Sequence, residues 1–335
     1  MQSHLNKISA RFWEFYRTGI YNKIMSGKDN WEALLALLSI LCAANLESIT
    51  FQCQTYQPKY ILNLLDLAAN KERGYFPKLR RVILMPDPHA QFALTLHGNA
   101  CFNTLLSHTL RIRHLPGLHL KHLFSSCVVN FVRDGKSQTG TQTGSLETFA
   151  IKVLSITDSH LASAILRDTL TRFDSLTHFK LQHPITAINA FDLVPIMIED
   201  GLLNSRYDLE ELVLEGADAD DSSRNGRVFS PLKNMESFKK LKVIKVQATR
   251  LLGHEPAGNS SLPHYTKQCT DFANRLPPSL EHLTLTDCRL SIYNPISELL
   301  LSPKMPPNLK SIEISFDMHQ LLTHVFGDLT ITMWL

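Results

Sequence analysis

Neither sign of charge is present in much excess. The chain has 34 Lys and Arg against 31 Asp and Glu, a formal net charge of +3 over 335 residues. So small an imbalance gives no general attraction to nucleic acid or to a lipid surface, and neither is expected as a partner. Long hydrophobic runs are also missing. The longest, Ala33 to Ala44, is interrupted by Ser39. As a helix it would reach about 18 Å, short of a bilayer core of about 30 Å, so it reads as a buried helix. Met1 to Ser26 mixes charged and aromatic residues without an apolar stretch typical of a secretory leader. An intracellular location, cytoplasmic or nuclear, is therefore expected. The six cysteines form no Cys-x-x-Cys pair, which argues against structural zinc. In a reducing compartment they should remain thiols. The Asn259-Ser260-Ser261 sequon would then go unused. A Walker loop, a Gly-x-Gly-x-x-Gly turn and a nucleophile elbow are absent from the sequence. The expectation is a chain that is not an enzyme and has no cofactor and no metal. A hydrolase using one of the thiols is a remote alternative.

What the chain does have is a short phrase, apolar-x-x-apolar-x-apolar. It recurs nine times, starting at Leu46, Leu79, Leu115, Leu146, Leu176, Leu209, Leu241, Leu280 and Leu309, at intervals of 29 to 39 residues. A quasi-regular period of that size is the mark of stacked repeats. In an extended segment alternate side chains face opposite ways. In Leu209-Glu210-Glu211-Leu212-Val213-Leu214, the side chains of Leu212 and Leu214 should point into a core, and those of Glu211, Val213 and Glu215 away from it. The third copy has a competing reading, because Leu120-x-x-Leu123 overlaps Leu115-x-x-Leu118-x-Leu120. A slip between them would exchange the buried and exposed sets.

Helical patterns precede most phrases. They cover Trp31 to Ala44, Lys59 to Lys71, Leu161 to Phe173, Phe191 to Asn204 and Tyr293 to Leu301. Another begins at Ser261, a capping residue with Pro263 in the first turn, and would bury Tyr265, Cys269, Phe272 and Leu276. Pro277-Pro278 and Pro306-Pro307 stand just before phrases, where proline stops a helix and favours extended backbone. The implied unit is helix, loop, strand. Helices need about 10 Å of spacing and strands about 4.8 Å, so stacking such units bends the array, with strands inside and helices outside. The expected fold class is therefore α/β: a solenoid of horseshoe form, with parallel strands on the concave face and helices on the convex face. Residues 1–30 would form an N-terminal cap helix, 31–316 about nine repeating units, and 317–335 a C-terminal cap or truncated repeat.

These phrases resemble leucine-rich repeats. Leu280-x-x-Leu283-x-Leu285-x-x-Cys288 matches the cysteine-containing variety. Leu276-Pro-Pro-Ser-Leu-Glu-His-Leu-Thr-Leu285 and Asn45-Leu-Glu-Ser-Ile-Thr50 are similar to the wording of fungal F-box and leucine-rich-repeat proteins. The resemblance covers roughly Trp31 to Phe316. It implies a protein-binding module, in that setting the substrate-recognition part of a ubiquitin-ligase receptor, with a ligase adaptor as a further partner if an F-box lies upstream. F-box proteins of this kind open with a helical module that usually carries Leu-Pro, and Met1 to Asn30 has no such pair. The alternative is a repeat scaffold or regulator unrelated to ubiquitin.

A partner would be met by the outward strand positions and by loops at one edge. The candidate contact residues are Arg81, Lys121, Lys152, His178, Lys180, Glu211, Glu215, Lys245, His282 and Glu313, with Gln182, Gln247, Thr284 and Thr286 among them. The mixture of signs, without a continuous basic track or stacking aromatics, favours a protein over nucleic acid. Nine strands give an inner sheet of about 400 Å², half of what a standard interface buries on each partner. The loops at 133–145, 216–230 and 253–261 would have to add to it. Asp218-Ala219-Asp220-Asp221-Ser222 invites a calcium reading, but the sixth and twelfth positions hold Ser223 and Phe229 where Gly and Glu are needed. His108, His114, His119 and His122 cluster in sequence and read as surface histidines rather than zinc ligands.

Overall fold

The structure, a computed structural model, describes residues 38–39, 41–52, 59–69, 76–86, 96–112, 114–123, 148–159, 161–182, 195–216, 231–253, 272–288, 292–316 and 329–334. It is mixed α/β, with ten strands, mostly parallel, among the described residues. The chain divides into two compact units, Met1–Leu118 and His119–Leu335.

In the first unit, β1 (Ser48–Gln52) and β2 (Arg81–Met85) are parallel, with Ile49 opposite Val82 and Phe51 opposite Leu84. Helices α1 (Lys59–Ala69) and α2 (Leu96–Leu110) pack on each other, and the Nδ1 of His108 meets Oδ1 of Asp66 at 2.5 Å between them. Strand β3 (Gly117–Lys121) contains the boundary between the units. At its start the backbone passes so close to Arg80 that a Cβ on Gly117 would lie 2.8 Å from that carbonyl oxygen. Leu115, Leu118 and Leu120 are buried and His119 and Lys121 half-buried, which settles the third phrase in the register that starts at Leu115.

The second unit contains β4 (Val153–Thr157), β5 (His178–Gln182), β6 (Glu211–Glu215), β7 (Val243–Gln247), β8 (His282–Cys288), β9 (Ser311–Phe316) and β10 (Leu329–Trp334). From β4 to β9 every neighbouring pair is parallel, and the register is shared from pair to pair except for a shift between Leu285 and Cys288 at the end of β8. Leu154, Phe179, Leu212, Ile244, Leu283 and Ile312 face one another in turn, all from the second apolar position of their phrases. That alignment makes a continuous buried row. Each large apolar side chain in it contributes about 2 kcal/mol relative to exposure. The last strand differs: β10 runs antiparallel to β9, with Ile331 opposite Ile314. Residues 329–334 thus form a strand of opposite direction beside β9.

The fourth phrase lies five residues later than expected from Leu146. Strand β4 belongs to Ile151-x-x-Leu154-x-Ile156, whose three apolar residues are at most 1% exposed. Leu146 itself lies outside the described residues. Phe149 instead packs against Phe173, with ring centroids 5.9 Å apart, and forms only an isolated bridge. Both readings satisfy the template because Ile151 ends one and begins the other.

Entry into β5, β6, β7 and β8 follows one hydrogen-bonding rule. The carbonyl just before a strand accepts two successive amides from the following unit: Lys152 from Thr177 and His178, Thr177 from Glu210 and Glu211, Glu210 from Lys242 and Val243, Lys242 from Glu281 and His282. Before the phrase, the amides of Leu280 and Leu309 donate to the carbonyls of Pro277 and Pro306, so these prolines form the turn that leads into the strand. At the strand exit, His122, Asp158 and Asp287 have φ of 51 to 54° and Gly216 a φ of 121°. Each is the eighth residue of its phrase, a left-handed position that suits Gly, Asn and Asp and is costly for most others.

Helix α3 (Ser163–Leu170) buries Leu166 and Leu170, and α4 (Pro195–Leu202) packs against it. Tyr293–Leu301 is helical as expected. Of the helix expected from Ser261, residues 272–276 fall among the described residues; Phe272–Arg275 is helical, and Phe272 and Leu276 are buried. The N-terminal cap helix and the loops at 133–145, 217–230 and 254–261, with the 218–222 acidic run, lie outside them.

Candidate binding face

Along β4 to β9 one set of side chains is buried and the alternate set is largely half-exposed, and the second set forms an open face. Seven of the ten expected contact residues lie together on it: His178 and Lys180 on β5, Glu211 and Glu215 on β6, Lys245 on β7, His282 on β8 and Glu313 on β9. Lys121 is at the end of β3. Arg81 begins β2 in the first unit and is exposed. Lys152 is exposed just ahead of β4 rather than within a strand. Counting from Leu146 puts it in a strand, whereas β4 belongs to the phrase that starts five residues later, at Ile151.

The centre of the face is an ion cluster. Glu215 accepts from the Nζ of Lys180 at 2.8 Å and from the Nζ of Lys245 at 2.7 Å, one lysine on each carboxylate oxygen. Lys180 and Lys245 stand opposite Val213, one on each side. Val213, expected to point outward, is only 6% exposed. It lies between two lysines whose ammoniums reach to Glu215, and a lysine can keep its ammonium in water while its methylenes cover apolar surface. Burial pushes the Glu215 carboxyl up, but hydrogen bonds and charge from both lysines outweigh it and leave the pKa below the ordinary range.

Around this cluster the other side chains pair more loosely. The Nε2 of His178 is 3.7 Å from Glu211, and its Nδ1 is 2.8 Å from the hydroxyl of Thr177. The Nδ1 of His282 meets the hydroxyl of Ser311 at 2.8 Å, and Thr284 donates to Glu313 at 3.4 Å. Gln247, expected on this face, is instead 1% exposed, and its amide nitrogen donates to Asp287 at 2.5 Å. The strand ends there, and Gln247 stands at the N-cap position of the helix Ala248–Leu252, α5, with no side-chain hydrogen bond to that helix start.

A second charged row follows the N-terminal edge of the strands. Lys242 pairs with Glu210 at 3.4 Å, Lys310 pairs with Glu281, and Lys240 pairs with Asp208 at 2.8 Å. The Lys310 hydrogen bond first of all holds the Glu281 carboxyl below its usual range. The alternation of apolar positions does not point to this ladder. Its signal is present in the sequence, because the second residue of successive phrases reads Glu210, Lys242, Glu281, Lys310.

The histidines have separate surroundings. His114 is 3.3 Å from the carbonyl of Phe76, and the amide of His122 donates to Thr157. Among the described residues, no three His, Cys, Asp or Glu side chains gather to hold a metal. Cys288 is buried, its thiol pushed up to about 12 by burial and by the charge of Asp287. Such a thiol is a poor nucleophile at neutral pH. Among the described residues no helix is long and apolar enough to cross a membrane.

The arrangement presents ammonium donors, carboxylate acceptors and two imidazoles on a half-exposed surface, a chemistry suited to reading another molecule's polar side chains. No family model, curated protein or solved structure matches this chain.

Proposed function

We propose that this chain is a leucine-rich-repeat module of horseshoe form that binds a protein partner on the open face of its strands and on the adjoining loop edge. One observation carries the reading: equivalent phrase positions stand opposite one another from β4 to β9, so the outward residues of successive units form one ordered polar surface. Parallel strands paired unit to unit, with helices between them, are what stacked repeats require. In this reading the face is concave, because helices demand more room than strands. Cys42 and Cys288 are free thiols, which fits an intracellular setting. The Leu276–Leu285 wording extends the proposal to substrate recognition for a ubiquitin ligase.

The test is affinity capture from the native cell with the wild-type chain and with a variant in which Lys180, Glu211, Lys245 and His282 are all replaced by Ala. A partner retained by the first and lost by the folded variant supports the binding face. Partners captured equally by both remove the face from the proposal. A ligase adaptor missing from the captured set, even when the bait includes any coding sequence found upstream of Met1, removes the ubiquitin part and leaves a scaffold or regulator.

A further inference from the structure

We infer that the partner crosses the strands as a dipolar peptide segment, placing a carboxylate side chain on Lys180 and Lys245 and a cationic side chain over Glu313. The inference rests on the open face being the binding surface and adds the chemistry and direction of what lies there.

The Lys180–Glu215–Lys245 cluster holds two cations and one anion. Each ammonium carries three donors, and Glu215 takes one from each. Both lysine side chains remain about two-fifths exposed, at 41% and 42%. A second carboxylate arriving from above would complete a square of two ammoniums and two carboxylates, with Val213 as an apolar floor. Charge-assisted hydrogen bonds of this type are stronger than neutral ones and fix orientation.

The face changes sign beyond that point. Lys245, Thr284 and Glu313 stand opposite one another on β7, β8 and β9. Glu313 has the hydroxyl of Thr284 as its neighbour at 3.4 Å, and no cation pairs with it among the described residues. Lys180 and Lys245 flank β6, so a carboxylate shared between them lies three strand spacings from Glu313 on β9, about 14 Å. An extended peptide covers about 13 Å in four residues, and residues four apart face the same way. The recognised pattern is therefore an acidic residue and a basic residue four apart. Polynucleotide fits less well, since Glu211, Glu215 and Glu313 share the face with only two lysines, and a run of phosphates would be repelled by them.

The experiment selects binders from a random dodecapeptide library against the full chain and titrates the enriched peptides. The panel is wild type, Lys180→Met/Lys245→Met, Glu215→Gln and Glu313→Lys, each checked for an unchanged unfolding midpoint. Enriched peptides should pair an acidic with a basic residue. The double lysine variant should bind about tenfold more weakly and Glu313→Lys several-fold more weakly. Glu215→Gln should bind more tightly, because the lysines lose their internal counter-ion; a merely structural cluster would not give this gain. Replacing the peptide's acid by its amide should weaken binding to wild type and not to the double lysine variant. Peptides without an acidic residue, or affinities indifferent to Lys180 and Lys245 while sensitive to other face residues, overturn this inference and leave the binding face standing. Binders indifferent to every face substitution, or no enrichment at all, overturn both. Lysine-dependent binding of a single-stranded oligonucleotide that displaces the peptides overturns it in favour of nucleic acid.

Discussion

At the scale of single residues, Glu199 on α4 shows how a buried charge can hold chain together. It is 1% exposed, and its two carboxylate oxygens accept from the backbone amides of Lys233 at 2.7 Å and Asn234 at 2.8 Å. These amides precede the short 3₁₀ turn Met235–Ser237, so the carboxylate satisfies donors that a helix start would otherwise leave open. Burial raises the Glu199 pKa, and the two amides only partly offset that rise. The sign of the pH dependence follows. A carboxyl whose folded pKa exceeds its unfolded value gives its full contribution to stability below the unfolded pKa. That contribution is lost as pH rises through the folded value. Between neutral pH and pH 4.5 or so, acidification should therefore strengthen the wild type relative to Glu199→Gln, which cannot titrate. At neutral pH the variant should be about 1–3 kcal/mol less stable, because its amide nitrogen faces a backbone donor. Urea unfolding of both proteins across that range checks this. A stability difference that shrinks on acidification would contradict it.

At the scale of elements, two features carry predictions. Gly201 lies where α4 meets α3, and a Cβ there would be 2.8 Å from the Cβ of Leu170 and 3.0 Å from the carbonyl oxygen of Arg167. Elsewhere in a helix, Gly to Ala gains up to about 1 kcal/mol. Here the obstruction is a neighbouring backbone, which cannot rotate away, so Gly201→Ala should lower the stability by about 1–3 kcal/mol. A thermal midpoint equal to or above wild type would show that the helices are free to separate. The edge ladder of Glu210, Lys242, Glu281 and Lys310 gives a second test. Glu281→Lys would turn its last three members into a run of cations. A small loss of stability is expected at low salt, and it should disappear at high salt, since exposed charges are screened. A loss unaffected by salt would assign Glu281 a packing role instead.

The same elements show what the sequence could reveal. Alternation in the phrase placed the buried leucines and most of the open face, because side-chain direction in a strand depends only on parity. It could not place the fourth strand, where Ile151 serves two overlapping phrases of equal quality. Backbone pairing of β4 with β5 decides between them, and that is a long-range contact. Parity also failed for Val213 and Gln247. One lies between lysines on both neighbouring strands, and the other sits where extended backbone gives way to a helix. Nor does parity show which charges meet, because Lys180 and Lys245 reach past their direct neighbour, Val213, to Glu215.

At the scale of the whole molecule, the relevant property is how far a local loss spreads. A conventional globular core shares each side chain among many elements, and one cavity weakens all of them. In a stack, each strand is supported by the two beside it, so damage should fade with distance along the sheet. Leu212 is suited to measuring this within the second unit. It is 1% exposed on β6, between Phe179 on β5 and Ile244 on β7. Leu212→Ala should remove about 2–5 kcal/mol at that site. Amide hydrogen exchange of the variant should show the greatest loss of protection in His178–Gln182, Glu211–Glu215 and Val243–Gln247, less in His282–Cys288, and least in Ser311–Phe316. Equal loss in all five segments would mean that the unit unfolds as one body. In that case the aligned register would describe the shape of the sheet without describing its energetics. A graded loss would instead mean that the units exchange stability mainly with their neighbours, so that a ligand held across β5 to β9 would stabilise those strands first and the more distant ones only through them.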